Sequence, residues 1–419
     1  MKSDSPAAEK AKHDKPTESA TSNQGEGRTQ PHRSRTGLTL LAVALLLVGV
    51  WPAYSYYQRQ QQEHFERTCK ELFLKENWSE LKDQAKAWLA INDGSDDARI
   101  YLSDACLQLD EVEAAVDLMG KVSNDFPGAI DVLAAQAEIL LTDLNRPFEA
   151  VATWQRMLKI NPAAGRAHQR LIYFYAMTLQ RERMLSQIDD SMQAGCEPPE
   201  AYTYLLMANA INFSDGLVKT TRWRISAMDD ENLEVAQAVY AAKKTAEDGI
   251  ATFGVQTVIP GETELLDRCL EKYPDNLEVL ALQIEFAMFS GDSDKVTELI
   301  GKVPESAKTD SRFWRYRGWL LTQQKRYELA IEALQQAINL LPFDWPSRIL
   351  LADLYRKTGN AKDAEVQARI SETGKSLQSQ LFERPTARAL TPDLANDIRD
   401  YLKEIGAENA LAAMERRLN

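Results

Sequence analysis

Apolar residues recur at helical spacing along most of this chain. In "YELAIEALQQAINLLP" (Tyr327–Pro342), Ala330, Leu334 and Ala337 fall on one face of a helix, and Pro342 ends it because proline cannot continue the hydrogen-bond ladder. The same face returns along the sequence. Thirty-four residues later stands Ala364; thirty-four earlier is Val296, and the same step back again reaches Glu262, followed by Leu266, Cys269 and Pro274. Near the other end, Ala150 leads Trp154, Met157 and Pro162, Ala115 lies 35 residues before it, and Leu81 a further 34 before that. Met184 and Lys219 continue the register at steps of 34 and 35, which makes nine units. Each unit holds two helical segments of about a dozen residues, joined by a short turn such as "GDS" or "TGN". A single helix pair cannot cover its own apolar face, so neighbouring pairs must stack into a solenoid.

The phase breaks once. Lys219 and Glu262 are 43 residues apart, and the excess contains "DGIATFGVQTVIPGE", a poor helix interior with Gly249, Gly254, Pro260 and Gly261. A longer loop is expected there, between an N-terminal stack at 62–231 and a C-terminal stack at 243–378. Residues 391–418 read as two short amphipathic helices split at Gly406, a polar-faced cap for the end of the stack.

A period of 34 with this internal pattern resembles the tetratricopeptide repeat. The unit that starts at Ser311 carries the resemblance best: Trp314, Gly318, Tyr327, Ala330, Leu334, Ala337 and Pro342 occupy the signature positions, while Arg317 and Leu321 depart from the usual leucine and tyrosine. The resemblance covers about residues 62–378. It implies an all-α fold, a right-handed superhelix of about nine helix pairs with a concave groove lined by the first helix of each pair, and a role in binding other proteins. Small residues at Gly318 and Ala330 let paired helices approach closely.

The N-terminus follows a different pattern. Residues 1–36 are polar and almost free of large apolar side chains, so no fold is expected of them. "GLTLLAVALLLVGVWPAYSYY" (37–57) holds no charge for 21 residues, enough for a helix to cross a hydrocarbon core, so one transmembrane helix is expected before the repeats. Arg28, Arg33 and Arg35 precede it and only Arg59 closely follows, which places the N-terminus in the cytoplasm and the repeats outside it, in the periplasm if the source is bacterial. Trp51, Tyr54, Tyr56 and Tyr57 would belt the outer interface. Cleavage after a signal segment near Ser55, giving a secreted soluble chain, stays open as the alternative.

Charge narrows the functional classes. The 419 residues carry 49 Lys/Arg and 62 Asp/Glu, net −13. Residues 1–60 hold eight basic against five acidic residues, so the remainder is net −16, unsuited to general nucleic-acid binding. The four cysteines (Cys69, Cys106, Cys196, Cys269) form no CxxC and read as small buried apolar residues, with a Cys69–Cys106 disulfide as the alternative. No phosphate-binding loop, dinucleotide fingerprint, HExxH or GxSxG occurs, and His168 alone of four histidines lies well within the array, so neither catalysis nor a cofactor or metal is expected.

The resemblance also assigns groove positions. In such repeats the second, fifth, ninth and twelfth residues of the first helix face the groove. These are Arg312, Arg315, Trp319 and Thr322 in the unit from Ser311, Pro346, Ile349, Asp353 and Arg356 in the next, and Arg166, Gln169, Tyr173 and Ala176 in the unit from Gly165; the charged and aromatic ones, with Gln169, are the candidates for binding. Arginine grips carboxylates and an aromatic beside it can stack, so a protein or peptide with an acidic or C-terminal carboxylate is the expected ligand. The expected role is a membrane-anchored scaffold in assembly or regulation of an envelope complex. A lipopolysaccharide-regulating envelope family shares the anchor and nine repeats but adds a four-cysteine metal module that this chain lacks. A glycan-handling accessory module, with Trp223 and Trp345 as aromatic platforms, is the second reading.

Overall fold

The computed structural model describes residues 35–253, 264–382 and 390–418, with side chains described outside 35–51, 53, 247–253 and 382. Contacts divide the chain into two compact units, Met1–His64 and Phe65–Asn419. Among the described residues every regular element is helical. The expected tail lies outside them, apart from its last two residues. A helix, α1 (Arg35–Leu74), runs through the apolar segment 37–57, most of whose side chains also fall outside the description; among the described residues no helix is long and apolar enough to cross a membrane.

The second unit is a stack of helix pairs. The end of α1 pairs with α2 (Trp78–Ile91), then α3 (Asp96–Gln108) with α4 (Val112–Gly120), α5 (Ala129–Thr142) with α6 (Pro147–Ile160), and α7 (Gly165–Met177) with α8 (Arg181–Gln193). A shortened pair follows, α9 (Glu200–Leu206) and α10 (Gly216–Arg224), then α11 (Glu231–Phe253) with α12 (Glu264–Lys272). The last three are α13 (Leu277–Phe289) with α14 (Ser293–Gly301), α15 (Ser311–Gln323) with α16 (Tyr327–Leu340), and α17 (Trp345–Lys357) with α18 (Ala361–Phe382); α19 (Pro392–Ile405) and α20 (Glu408–Leu418) form a closing hairpin. The second helices of three pairs stop just before Pro162, Pro274 and Pro342, where the sequence places their ends.

The repeat is written into the backbone at the turn inside seven of the nine pairs. One residue there is left-handed: Glu76, Asp110, Asn145, Leu179, Gly291, Lys325 and Gly359. The amide after each donates five residues back, from Asn77 to Leu72, Glu111 to Cys106, Gln180 to Tyr175, Asp292 to Ala287, Arg326 to Leu321 and Asn360 to Tyr355. This is the Schellman closure, which satisfies helix-end carbonyls and turns the chain back on itself. In α5 the bond spans six residues, Arg146 to Leu140, so one extra residue sits before the turn and accounts for the 35-residue step.

The expected long loop is partly replaced by helix. α11 continues from Glu231 through Gly249 to Phe253, because Leu233, Val235, Ala236, Val239, Ala242 and Ala246 are buried and hold the segment helical before the glycine is reached. Residues 254–263 lie outside the described part. The two expected stacks and the C-terminal helices all belong to the one compact unit. Cys69, Cys106 and Cys269 are buried and Cys196 half-buried, all four free; burial pushes the Cys69 thiol up to about 11, an unreactive state.

Gly318 decides how closely α15 and α16 approach. A Cβ built there would stand 2.6 Å from Leu334 Cγ, and both Leu334 and Ala330 are fully buried. Gly318→Ala should therefore lower unfolding stability by about 1–3 kcal/mol through overpacking, measurable by urea denaturation, although alanine is the better helix former.

Candidate interaction groove and its closed half

Four of the eight candidate groove residues are closed off or neutralised by their own chain. Arg312, 6% exposed, is held by Asp310, which caps α15 by accepting from the Arg312 amide at 2.9 Å and again from its guanidinium at 2.7 Å. Its other side pairs with both oxygens of Glu278 on α13, one at 2.8 Å. Arg315, 7% exposed, donates to Asp344, the cap of α17, at 2.9 Å and approaches Glu285 at 3.5 Å. The expectation that these two guanidiniums face a ligand is thus corrected: the helix caps and α13 supply their carboxylates. Asp353 and Arg356 are exposed but bond to each other at 2.5 Å, three residues apart on α17.

The remaining four lie nearer the surface. Arg166 is exposed, 3.7 Å from Glu138. Gln169 donates to Glu200, and Tyr173 accepts from Lys219 Nζ at 2.5 Å while meeting Phe213 edge-on at 6.2 Å. Trp319 is half-buried against the cluster around Leu280, Ile284 and Phe313. His168 is buried, with Nε2 2.8 Å from the Pro162 carbonyl and Nδ1 2.6 Å from Gln187, a packing role. Trp223 packs on Phe174 and is 4% exposed, so it offers no glycan platform.

A residue that the repeat register does not single out ties the closed half together. Arg181, the first residue of α8, donates to the Ala208 carbonyl at 3.0 Å, to Asn209 at 2.5 Å, to Ser311 Oγ at 3.1 Å and to Asp310 at 3.3 Å. It joins the fourth pair to the eighth across 129 residues of sequence. Burial works against the charge on Asp310, but Arg312 and Arg181 outweigh it and hold the carboxyl far below the ordinary carboxylate range. The two sides are unequal. Burial pushes Arg181 down, and Asp310 offsets this only in part because Arg312 repels it; Arg312, facing two carboxylates, is raised despite its own burial. All three stay charged at neutral pH, since even a lowered arginine keeps its proton in a protein. A cleft of about 600 Å³ lies beside this junction, between α8 and the starts of α11 and α13.

The first pairs present an opposite surface. The register that places Arg312 on the groove side of α15 places Asp97 and Asp104 on that side of α3, and Asp131 and Glu138 on that side of α5. Glu138 is occupied by Arg170, bonded at 2.7 and 2.6 Å. Glu66, Asp97, Asp104 and Asp131 have no hydrogen bond or ion pair from their carboxylates among the described residues. Glu66, Asp97 and Asp104 surround Tyr101 closely enough to push its hydroxyl up, after burial. Burial also raises Asp104 to about 6, the mark of a carboxylate with no cation beside it. The signal for this row is in the sequence: the groove register counted through the second unit falls on Asp97 and Asp104.

Removing Asp310 by Asp310→Ala strands Arg181 without a carboxylate and should cost about 3–5 kcal/mol; adding Arg181→Met should recover part of that loss in a double-mutant cycle. Asp104 has its folded pKa above the unfolded one, so its contribution is present in acid and lost as pH rises through about 6. Asp104→Asn should therefore raise stability at pH 8 by about 1 kcal/mol, allowing for solvent screening of this part-exposed group, and change little at pH 4.

With the geometry in place, comparison with known proteins is direct. Residues 311–344 match the tetratricopeptide repeat family. No curated protein matches the chain. Similar solved structures include the APC/C hetero-tetramer Cut9-Hcn1, 13% identical over 83% of this chain and 78% of that one with TM-score 0.31. Yeast Tom70 aligns at 14% identity over 86% and 78%, TM-score 0.26. A tetratricopeptide repeat protein from Parabacteroides merdae aligns at 11% over 71% and 99%, TM-score 0.27. The matched segment coincides with the α15–α16 pair, whose turn geometry recurs at the repeat spacing along the stack. Residues 311–344 are thus a tetratricopeptide repeat, set in a stack of helix pairs that share its turn geometry.

Proposed function

We propose that this protein is a membrane-anchored scaffold that binds other proteins through the concave face of its first three helix pairs, and that the segment it grips there is basic. The observation that carries this reading is the contrast in charge. Arg312 and Arg315 of the eighth pair are buried against their own chain's carboxylates, whereas Glu66, Asp97, Asp104 and Asp131 keep theirs unmatched. A lysine or arginine brought beside Asp104 would relieve the cost of its burial, and apolar neighbours such as Ile100 and Leu107, half-exposed on the same helix, would pack on the stem of that side chain. The ligand chemistry is thus the reverse of the acidic or C-terminal carboxylate group that the arginines alone suggest. The apolar stretch 37–57 supports anchoring, and the arginines before it support an extracytoplasmic array; assembly or regulation of an envelope complex is the role in keeping with both.

The test is fluorescence anisotropy with two labelled peptides of equal length, one rich in lysine and arginine and one rich in glutamate. The basic peptide should bind, and Asp97→Asn with Asp104→Asn should weaken it about tenfold. Binding should also weaken as pH falls from 7.5 to 5, because Asp104 takes up its proton near 6. Equal binding of both peptides, or no effect of the two asparagines, would sink the proposal.

A further inference from the structure

The C-terminal hairpin does more than cover the end of the stack. α20 crosses back to α8, more than 200 residues away in sequence. Asn409 donates to Asp189 at 2.8 Å, Arg416 to the Met192 carbonyl at 2.6 Å, and Arg417 to the Glu197 carbonyl at 2.5 Å. Arg417 also stands 3.5 Å from the carboxylate of Glu197, a residue only 7% exposed that accepts from Tyr202 as well. Ala410, Ala413 and Met414 are the buried face of α20.

Two features separate this seam from the Arg181 junction. The apolar part opens to solvent along one side: an open cleft of about 470 Å³ is lined by Ile188, Met192, Leu205, Phe343, Ala407 and Ala410. The polar part is directional. The last carbonyls of α8 carry the negative end of its dipole, and Glu197 adds a buried carboxylate, so the site is apolar along its length and anionic at one end. That surface selects an amphipathic helix with basic residues in its final turn, which is how α20 is built: "ENALAAMERRL" ends on Arg416 and Arg417.

We infer that α8 with Glu197 forms a helix-docking site, distinct from the acidic concave face, which the hairpin fills as an intramolecular ligand. A partner protein offering an amphipathic helix with two basic residues in its last turn displaces the hairpin and takes its place. Any competitor must bring a cation, because leaving Glu197 buried without one is costly.

The test uses the full chain and a labelled synthetic peptide of residues 406–419. Arg416→Glu with Arg417→Glu should free the site, and the peptide should bind this variant at least tenfold more tightly than wild type, with helix content unchanged by circular dichroism. Adding Glu197→Gln should lower that affinity about tenfold. Hydrogen exchange on wild type gives an answer even if the variant fails to fold: α19 and α20 should open at least tenfold faster than α15 and α16. Equal peptide binding by variant and wild type, or exchange of the hairpin in step with α15, would overturn the inference. A wild-type dimer by light scattering would mean that copies exchange hairpins, and would overturn the assignment to a separate partner.

Discussion

The ion pair between Arg181 and Asp310 decides which parts of this array remain open. Stacked helix pairs touch mainly their neighbours, and such an array leaves its concave face free. Here a guanidinium at the start of α8 reaches the cap of α15, four pairs further on, and is buried with Arg312 and Ser311, beside half-buried Glu278 and Asn209. Three charged groups out of water, Arg181, Asp310 and Arg312, are tolerable only because each has a partner at bonding distance. The consequence is geometric: the start of the fourth pair's second helix is tied to the eighth pair, and the groove positions Arg312 and Arg315 become core.

That closure explains why one register yields two kinds of surface. Arg312 and Asp104 occupy the same face of equivalent first helices. One is in the closed half, where Asp310 and Glu278 meet it; the other is in the first pairs, where no cation does. The acidic excess of the sequence is therefore not spread evenly as solvation. Part is consumed inside, against Arg181, Arg312 and Arg315, and part stays unmatched at the groove positions of α3 and on α5 at Asp131.

The helix pairs were legible because their causes are local. A 34-residue phase, small residues at Gly318 and Ala330, and prolines after the second helices each act within one pair, and α15–α16 shows all of them. The site was less legible, because what covers a groove residue is decided by distant segments. Arg312 looks identical in sequence whether its carboxylate comes from a ligand or from Glu278. Arg181 carries no repeat signature, and its partner lies 129 residues away. The segment near Gly249 misled for a related reason: glycine argues against helix locally, yet the buried face from Leu233 to Ala246 carries α11 past it. The two C-terminal helices were foreseen as a cap, but their docking on α8 depends on how the superhelix winds, and no short stretch encodes that.

The central claim is that the fourth and eighth pairs are locked at one separation. Glu182, on α8, and Thr309, just before α15, are exposed and both line the cleft beside the junction, so they report on it without entering the ion network. Spin labels at Glu182→Cys and Thr309→Cys, in a chain with Cys196→Ser, would give that separation by double electron–electron resonance. The closed array predicts a single narrow distance distribution that broadens when Asp310→Ala is added. A broad or multiple distribution in the unaltered junction would contradict it.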